Sequence, residues 1–296
     1  VWGSAAAVAA AYALTLWHVQ PLWHDDVALF THAAAHFPEA AAYSSALGSA
    51  LMARGDLAAA EHPLRVALSM DPGNAQTWHA LGLVHGRLGL FDVAERELQT
   101  ALSLNSENGE ILYDLGHVHA RLGRTAEAAS EIAKGLDLMP HPPADAYVEL
   151  AELYDAQGRP ADSGAVLKRM ESMPGGAEAA GLALARIRLR HGDGAGAEKI
   201  LRDLARRYPS DQHVWTMLGL VLAGEDRNQE ALAAYQHALA LAPNDSRPHF
   251  YAAQAFHAMG REREALAQCQ AALAINPAYA DATALMAEIG RGQIRR

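Results

Sequence analysis

Along this chain a large apolar residue is repeatedly followed by a small one, at a nearly constant interval. The pairs are Leu47-Gly48, Leu81-Gly82, Leu115-Gly116, Leu150-Ala151, Leu184-Ala185, Leu218-Gly219 and Ala252-Ala253, spaced by 34, 34, 35, 34, 34 and 34 residues. So strict a period marks a repeat architecture, whose units bury their apolar faces against their neighbours. Ala and Leu carry most of the apolar content and β-branched runs are scarce, so the units are predicted to be helical.

Other residues keep the same phase. Gly55, Gly89, Gly123, Gly158, Gly192 and Gly260 each fall where a first helix should end, with Asp226 in that place in the sixth repeat. A left-handed cap is easiest for glycine. Ala60, Ala94, Ala128, Ala197, Ala231 and Ala265, with Ser163 in the fourth repeat, recur early in the second helices and permit close helix approach. Pro72, Pro140, Pro209, Pro243 and Pro277 close repeats, because proline cannot continue a helix. Ser106 replaces it in the second repeat, and Pro174 comes one residue early in the fourth.

With Trp78 and Trp215 near the start of two first helices, this pattern resembles the tetratricopeptide-repeat family over about residues 39–290. The resemblance implies an all-α, right-handed superhelical solenoid of seven helix–turn–helix repeats over 39–277. A C-terminal capping helix and basic tail would follow in 278–296. His141-Pro142-Pro143 lengthens one junction by a residue, and the fourth repeat lacks glycine after its leucine, so the superhelical angle is expected to change there. Pro63, inside a second helix, should kink it or mark a late start.

Residues 1–22 begin with nineteen positions free of Asp, Glu, Lys and Arg. As a helix these would span roughly 28 Å, close to a bilayer core. Trp2 near one end, with Trp17 and Trp23 near the other, would sit at the membrane interfaces. Residues 1–22 are therefore read as a membrane anchor, the other reading being an Ala-rich cap on the first repeat. Residues 23–38 read as a half-repeat, a second helix without its first. With Trp23, Asp25 or Asp26, Leu29 and Phe30, this junction is similar to the start of the C-terminal repeat region in multi-spanning protein O-mannosyltransferase-like membrane proteins. That resemblance would make the chain the tail of such an enzyme, presenting acceptor proteins. No Lys or Arg follows the apolar segment until Arg54, which places the repeats on the periplasmic face by the positive-inside rule.

A net charge of −10 and a pI near 5.8 argue against nucleic acid as a partner. The single cysteine, Cys269, excludes an intrachain disulfide. His32 and His36 share a helical face and could chelate, but a metal site needs three or four converging ligands, so no metal is assigned. His85 and His119 replace the usual aromatic of the repeat and read as packing residues. No phosphate loop, nucleophile elbow or acid–base pair stands out, so neither catalysis nor a cofactor is expected.

The remaining candidate is the inner groove, which in this family is lined by the first helices. Projection of that face gives His79 and Leu83, then Tyr113, Asp114, His117 and Arg121. The fourth repeat adds Glu149, Glu152 and Asp155, and the fifth Arg186 and Arg190. His213, Thr216 and Leu220 follow, then Arg247, Phe250, Tyr251, Gln254 and His257. An acidic fourth and a basic fifth repeat could set the register of a bound peptide. The three lysines, Lys134, Lys168 and Lys199, are not expected to share one groove, which disfavours capture of an acidic tail. The expected partner is a protein or peptide, such as a subunit of a membrane complex.

Overall fold

A computed structural model of the chain describes residues 25–294. These residues form sixteen helices and no strand. α1 (Asp26–His36) stands alone, with the Asp25 carboxylate accepting from the Val27 amide at its N-cap. Seven helix pairs follow. They are α2 (Ala41–Arg54) with α3 (Leu57–Met70), α4 (Ala75–Arg87) with α5 (Phe91–Leu104), and α6 (Gly109–Arg121) with α7 (Thr125–Leu138). Next come α8 (Ala144–Ala156) with α9 (Pro160–Glu171), α10 (Gly176–Arg190) with α11 (Gly194–Arg207), α12 (Gln212–Gly224) with α13 (Asn228–Leu241), and α14 (Ser246–Ala258) with α15 (Glu262–Ile275). α16 (Ala280–Ile294) is the last helix. The chain divides into two compact bodies with a boundary at Ala146/Tyr147, just after the His141-Pro142-Pro143 junction.

The sequence punctuation acts where chemistry requires it. Asn74, Asn108, Asp211 and Asp245 cap α4, α6, α12 and α14 by accepting from backbone amides. In the sixth repeat Asp226 adopts a φ of 60°, the left-handed conformation that its neighbours leave to glycine. Aspartate tolerates it because a short polar side chain can bond locally. Helix α3 runs through Pro63 unbroken, and the proline ring is buried. Pro63→Ala is expected to raise stability by about 1 kcal/mol. The gain falls short of the ~3 kcal/mol of an exposed helix interior because the buried ring is lost. A rise in the urea midpoint would check this.

The small residue after each leucine is a hole, and the second helix of the same repeat supplies the knob. An added Cβ at Gly48 would meet Leu64, at Gly82 Leu98, at Gly116 Ile132 and at Gly219 Tyr235, all within 3.0 Å. Each knob lies sixteen residues beyond its hole. Where the hole is alanine (Ala151, Ala185, Ala253), the residue sixteen further on is Leu167, Leu201 or Cys269, buried in each case. The alanines read as permitting close approach, Ala60, Ala94, Ala128, Ala197, Ala231 and Ala265, are all fully buried. Tyr235 and its neighbours Val214, Leu218 and Leu222 centre one core of the C-terminal body, and Phe250, Cys269 and Ile289 another.

His85 and His119 are buried as the packing argument required, but each also carries a carboxylate partner. His85 Nδ1 lies 2.6 Å from Glu97, and His119 Nδ1 lies 2.6 Å from Glu131. On the opposite ring nitrogen, His85 faces Glu61 at 3.6 Å and His119 faces Glu95 at 3.2 Å. The second carboxylate comes from the preceding repeat, so the motif joins neighbours as well as the two helices of one pair. Burial pushes the Glu97 and Glu131 carboxyls up, with the histidines opposing it. Arg124 and His119 hold Glu95 below the usual carboxylate range.

Candidate functional site

The first helices of the repeats carry the expected groove residues, and the helical register sorts them into outward and inward columns. Leu83, His117, Glu152, Arg186, Leu220 and Gln254 occupy equivalent places, and none is buried. His79 and Phe250 occupy equivalent places in another column, and both are buried. His79 and Phe250 are therefore not groove residues. Phe250 packs on Tyr279 at 5.0 Å and on Cys269 and Ile289 inside the last core.

In the N-terminal body the candidate residues converge on a cleft of about 410 Å3 between α4, α5 and α6. Tyr113, Asp114, His117 and Arg121 line one wall, and Leu83, Arg87 and Phe91 another. Behind that wall His79 Nε2 donates to the Asp114 carboxylate at 2.6 Å. Asp114 is thus held from the previous repeat. The other ring nitrogen, Nδ1, is buried without a hydrogen-bond partner. The Arg121 guanidinium stacks 5.0 Å from the Phe91 ring centre.

In the C-terminal body the acidic fourth and basic fifth repeats meet each other. Arg186 pairs with Glu152 at 2.5 Å, and Arg190 reaches both Glu152 at 3.6 Å and Asp155 at 3.0 Å. His191 adds a 2.7 Å contact to the other Asp155 oxygen. The Asp155 side chain is only 2% exposed, so it is a structural partner and not a groove residue. The opposite charges that could have set a peptide register are largely spent on holding α8 to α10. Glu149 lies on the same helix, half-buried.

Further on, Thr216 Oγ1 donates to the Gln212 carbonyl. Arg247 is anchored on the Asp245 cap at 2.7 Å, and its guanidinium holds the Asp245 carboxyl below the usual range. Tyr251 is wedged between Tyr235 and Phe250, Gln254 is exposed, and His257 Nδ1 lies 2.8 Å from Glu262. His213 is exposed beside the same cap.

A pair of carboxyls that the sequence did not suggest joins the fifth and sixth repeats. Hydrogen bonding to Asp211, with burial, raises Glu178 from 4.5 to about 7. Because the folded value is raised, the stabilisation is fully present below pH 4.5 and is lost as pH rises through about 7. Glu178→Gln keeps a donor toward Asp211 without a titrating proton. Relative to this variant, the wild-type Tm is expected to fall between pH 5 and pH 8, as thermal melts across that window would show.

His32 and His36 stack at 3.9 Å, and His36 Nδ1 donates to the His32 carbonyl. Among the described residues no three His, Cys, Asp or Glu side chains converge as metal ligands. No helix among them is long and apolar enough to cross a membrane. The anchor expected at 1–22, with Trp2, Trp17 and Trp23, lies outside the described residues.

A family model described as tetratricopeptide repeat matches residues 27–75, 79–141 and 182–246. No curated protein matches the chain, and nothing supports the junction's likeness to O-mannosyltransferase-like proteins. Asp25 has a sufficient local reason as the cap of α1. Among solved structures, a tetratricopeptide repeat protein from Parabacteroides merdae is similar at 18% identity and a TM-score of 0.63, over 82% of this chain and 95% of that one. Yeast Tom70 is similar at 16% identity and a TM-score of 0.67, over 91% of this chain and 58% of that one. Cut9, in a hetero-tetramer with Hcn1, is similar at 16% identity and a TM-score of 0.53, over 89% of this chain and 52% of that one. At such identities the likeness concerns the fold alone. The matched repeats cover well over half of the sequence, and the helix pairs carry the period into three dimensions: the chain belongs to the tetratricopeptide-repeat family.

Proposed function

We propose that this chain is a non-catalytic scaffold that docks on, or helps to assemble, a larger membrane-associated complex through the outward faces of its repeats. The observation that carries this reading is that equivalent positions keep accessible side chains within each body, Leu83 and His117 in the N-terminal one and Arg186, Leu220 and Gln254 in the C-terminal one. Their chemistry changes from repeat to repeat over a nearly constant backbone, which suits recognition of a protein surface. The charge-free stretch at the start of the chain supports attachment to a membrane, and the absence of Lys and Arg before Arg54 supports a periplasmic face. Co-purification from mild detergent extracts tests the scaffold reading. The chain should come away with stoichiometric partners, and Leu220→Glu with Gln254→Glu should release them. A lone monomer in detergent would overturn the scaffold. A full chain that stays in the supernatant without detergent would remove the membrane and leave a free peptide-binding adaptor.

A further inference from the structure

Two of the three lysines, expected to lie apart, meet at one cleft in the C-terminal body. Its walls are α9, α10 and α11, and its volume is about 680 Å3. The sequence explains why it is open. The place held by Trp78, Tyr147 and Trp215 in other repeats is Gly181 in the fifth. Leu204 packs against Gly181, within 2.9 Å of where a Cβ would stand, and with Gly164, Ala177 and Gly196 on the walls the rest of the space between the three helices stays open. Leu167, Leu184, Ile200 and Leu204 make an apolar floor.

The rim is cationic in an acidic chain. Lys168, Arg188, Lys199, Arg206 and Arg207 stand against only Glu171 and Asp203. Asp203 is already engaged by Arg206 at 3.1 Å and Arg207 at 2.8 Å, whereas neither lysine has an ion-pair partner among the described residues. A second recess of about 410 Å3 adjoins the first, sharing Lys199 and Arg206 and ending at Trp215. The two recesses flank Lys199 and Arg206 on α11 and together make a track over parts of three repeats. On α10 this track lies roughly opposite Arg186 and Arg190, since successive helical residues are ~100° apart.

We propose that this track docks an acidic peptide bearing apolar anchors. Carboxylates would pair with Lys168 and Lys199, and apolar side chains would lie on the floor of Leu184, Ile200 and Leu204 beside Gly181. A recessed apolar floor suits side chains better than a flat lipid surface. The net charge of −10 repels an acidic partner elsewhere, which confines docking to this face. The inference requires neither a membrane anchor nor the face of Arg186 and Arg190.

The test is fluorescence anisotropy of a fluorescein-labelled peptide of alternating Glu and Leu, titrated with the full chain at low salt. Saturable binding is expected, weakening as salt rises. Lys168→Glu with Lys199→Glu should weaken it by about tenfold or more, and Lys134→Glu, on α7, should not. Gly181→Trp, which returns the missing side chain, should block it similarly. If circular dichroism shows that this variant is unfolded, the lysine variant decides. Failure of the wild type to saturate, equal loss in Lys134→Glu, or binding to phosphatidylserine vesicles in place of the peptide would each overturn the proposal.

Discussion

Gly219→Ala is expected to destabilise the chain by about 3 kcal/mol, the upper range for overpacking a well-filled core. In an open helix the same change is worth about 1 kcal/mol in the opposite direction. The sign reverses because the new Cβ would sit 2.3 Å from Cε1 of Tyr235, a ring 1% exposed. The ring cannot swing into solvent without emptying the core around Val214 and Leu222. Tyr235→Leu alone should also destabilise, by about 2 kcal/mol, because it leaves a cavity. Combined, the two changes reproduce the Ala185/Leu201 pairing of the fifth repeat and should recover most of the loss. Urea melts followed by helical circular dichroism would read all three, and additive losses would refute the knob-and-hole account. Gly290→Ala, with nothing within 4 Å of the new Cβ, serves as the reference that should gain stability.

The other large effect belongs to the buried histidine of the second repeat. His85→Leu should cost about 3 kcal/mol, because it strands the Glu97 carboxyl at a buried site. Burial already pushes Glu97 up while His85 pulls it down, so without the histidine the carboxyl moves higher. A raised folded value means that stability is lost as pH rises, so the single variant should fall further behind at pH 8 than at pH 5. His85→Leu with Glu97→Met removes both polar groups and should return to within about 1 kcal/mol of the wild type. Glu61, on the far side of the ring, is more exposed and can turn to water. A double variant as unstable as the single one would show that the pair is more than a satisfied polar contact.

The fold was legible because it depends on residues that keep phase, and phase is visible in one dimension. The left-handed caps, the buried alanines and the holes after each leucine are all local to one helix pair. The surface was less legible because it depends on which repeat lies against which. Glu152 and Arg186 read as two charged stretches, yet they neutralise each other across α8 and α10. His79 and Asp114 read as neighbours in a groove, but one is a buried brace for the other. Phe250 and Gln254 share a helix face one turn apart, yet Tyr279 and Cys269 from later elements cover Phe250 and leave Gln254 exposed. The cationic cleft did leave a sequence signal. Once Trp78 and Trp215 define a position, Gly181 in that position is a missing wall.

The knob-and-hole pairs also bear on how such a chain can change length. Each knob and its hole lie sixteen residues apart inside one repeat. Duplicating or excising one whole 34-residue segment therefore carries each matched pair intact, whether it is the roomy Gly219/Tyr235 or the tight Ala253/Cys269. A recombination point within those sixteen residues would instead join one repeat's hole to another's knob, and alanine against tyrosine would be overfilled. The histidine contacts to Glu61 and Glu95 follow a different rule, since they cross from one repeat to the next. Lengthening the array is thus freest where no histidine bridges the seam, and most constrained among the first three repeats.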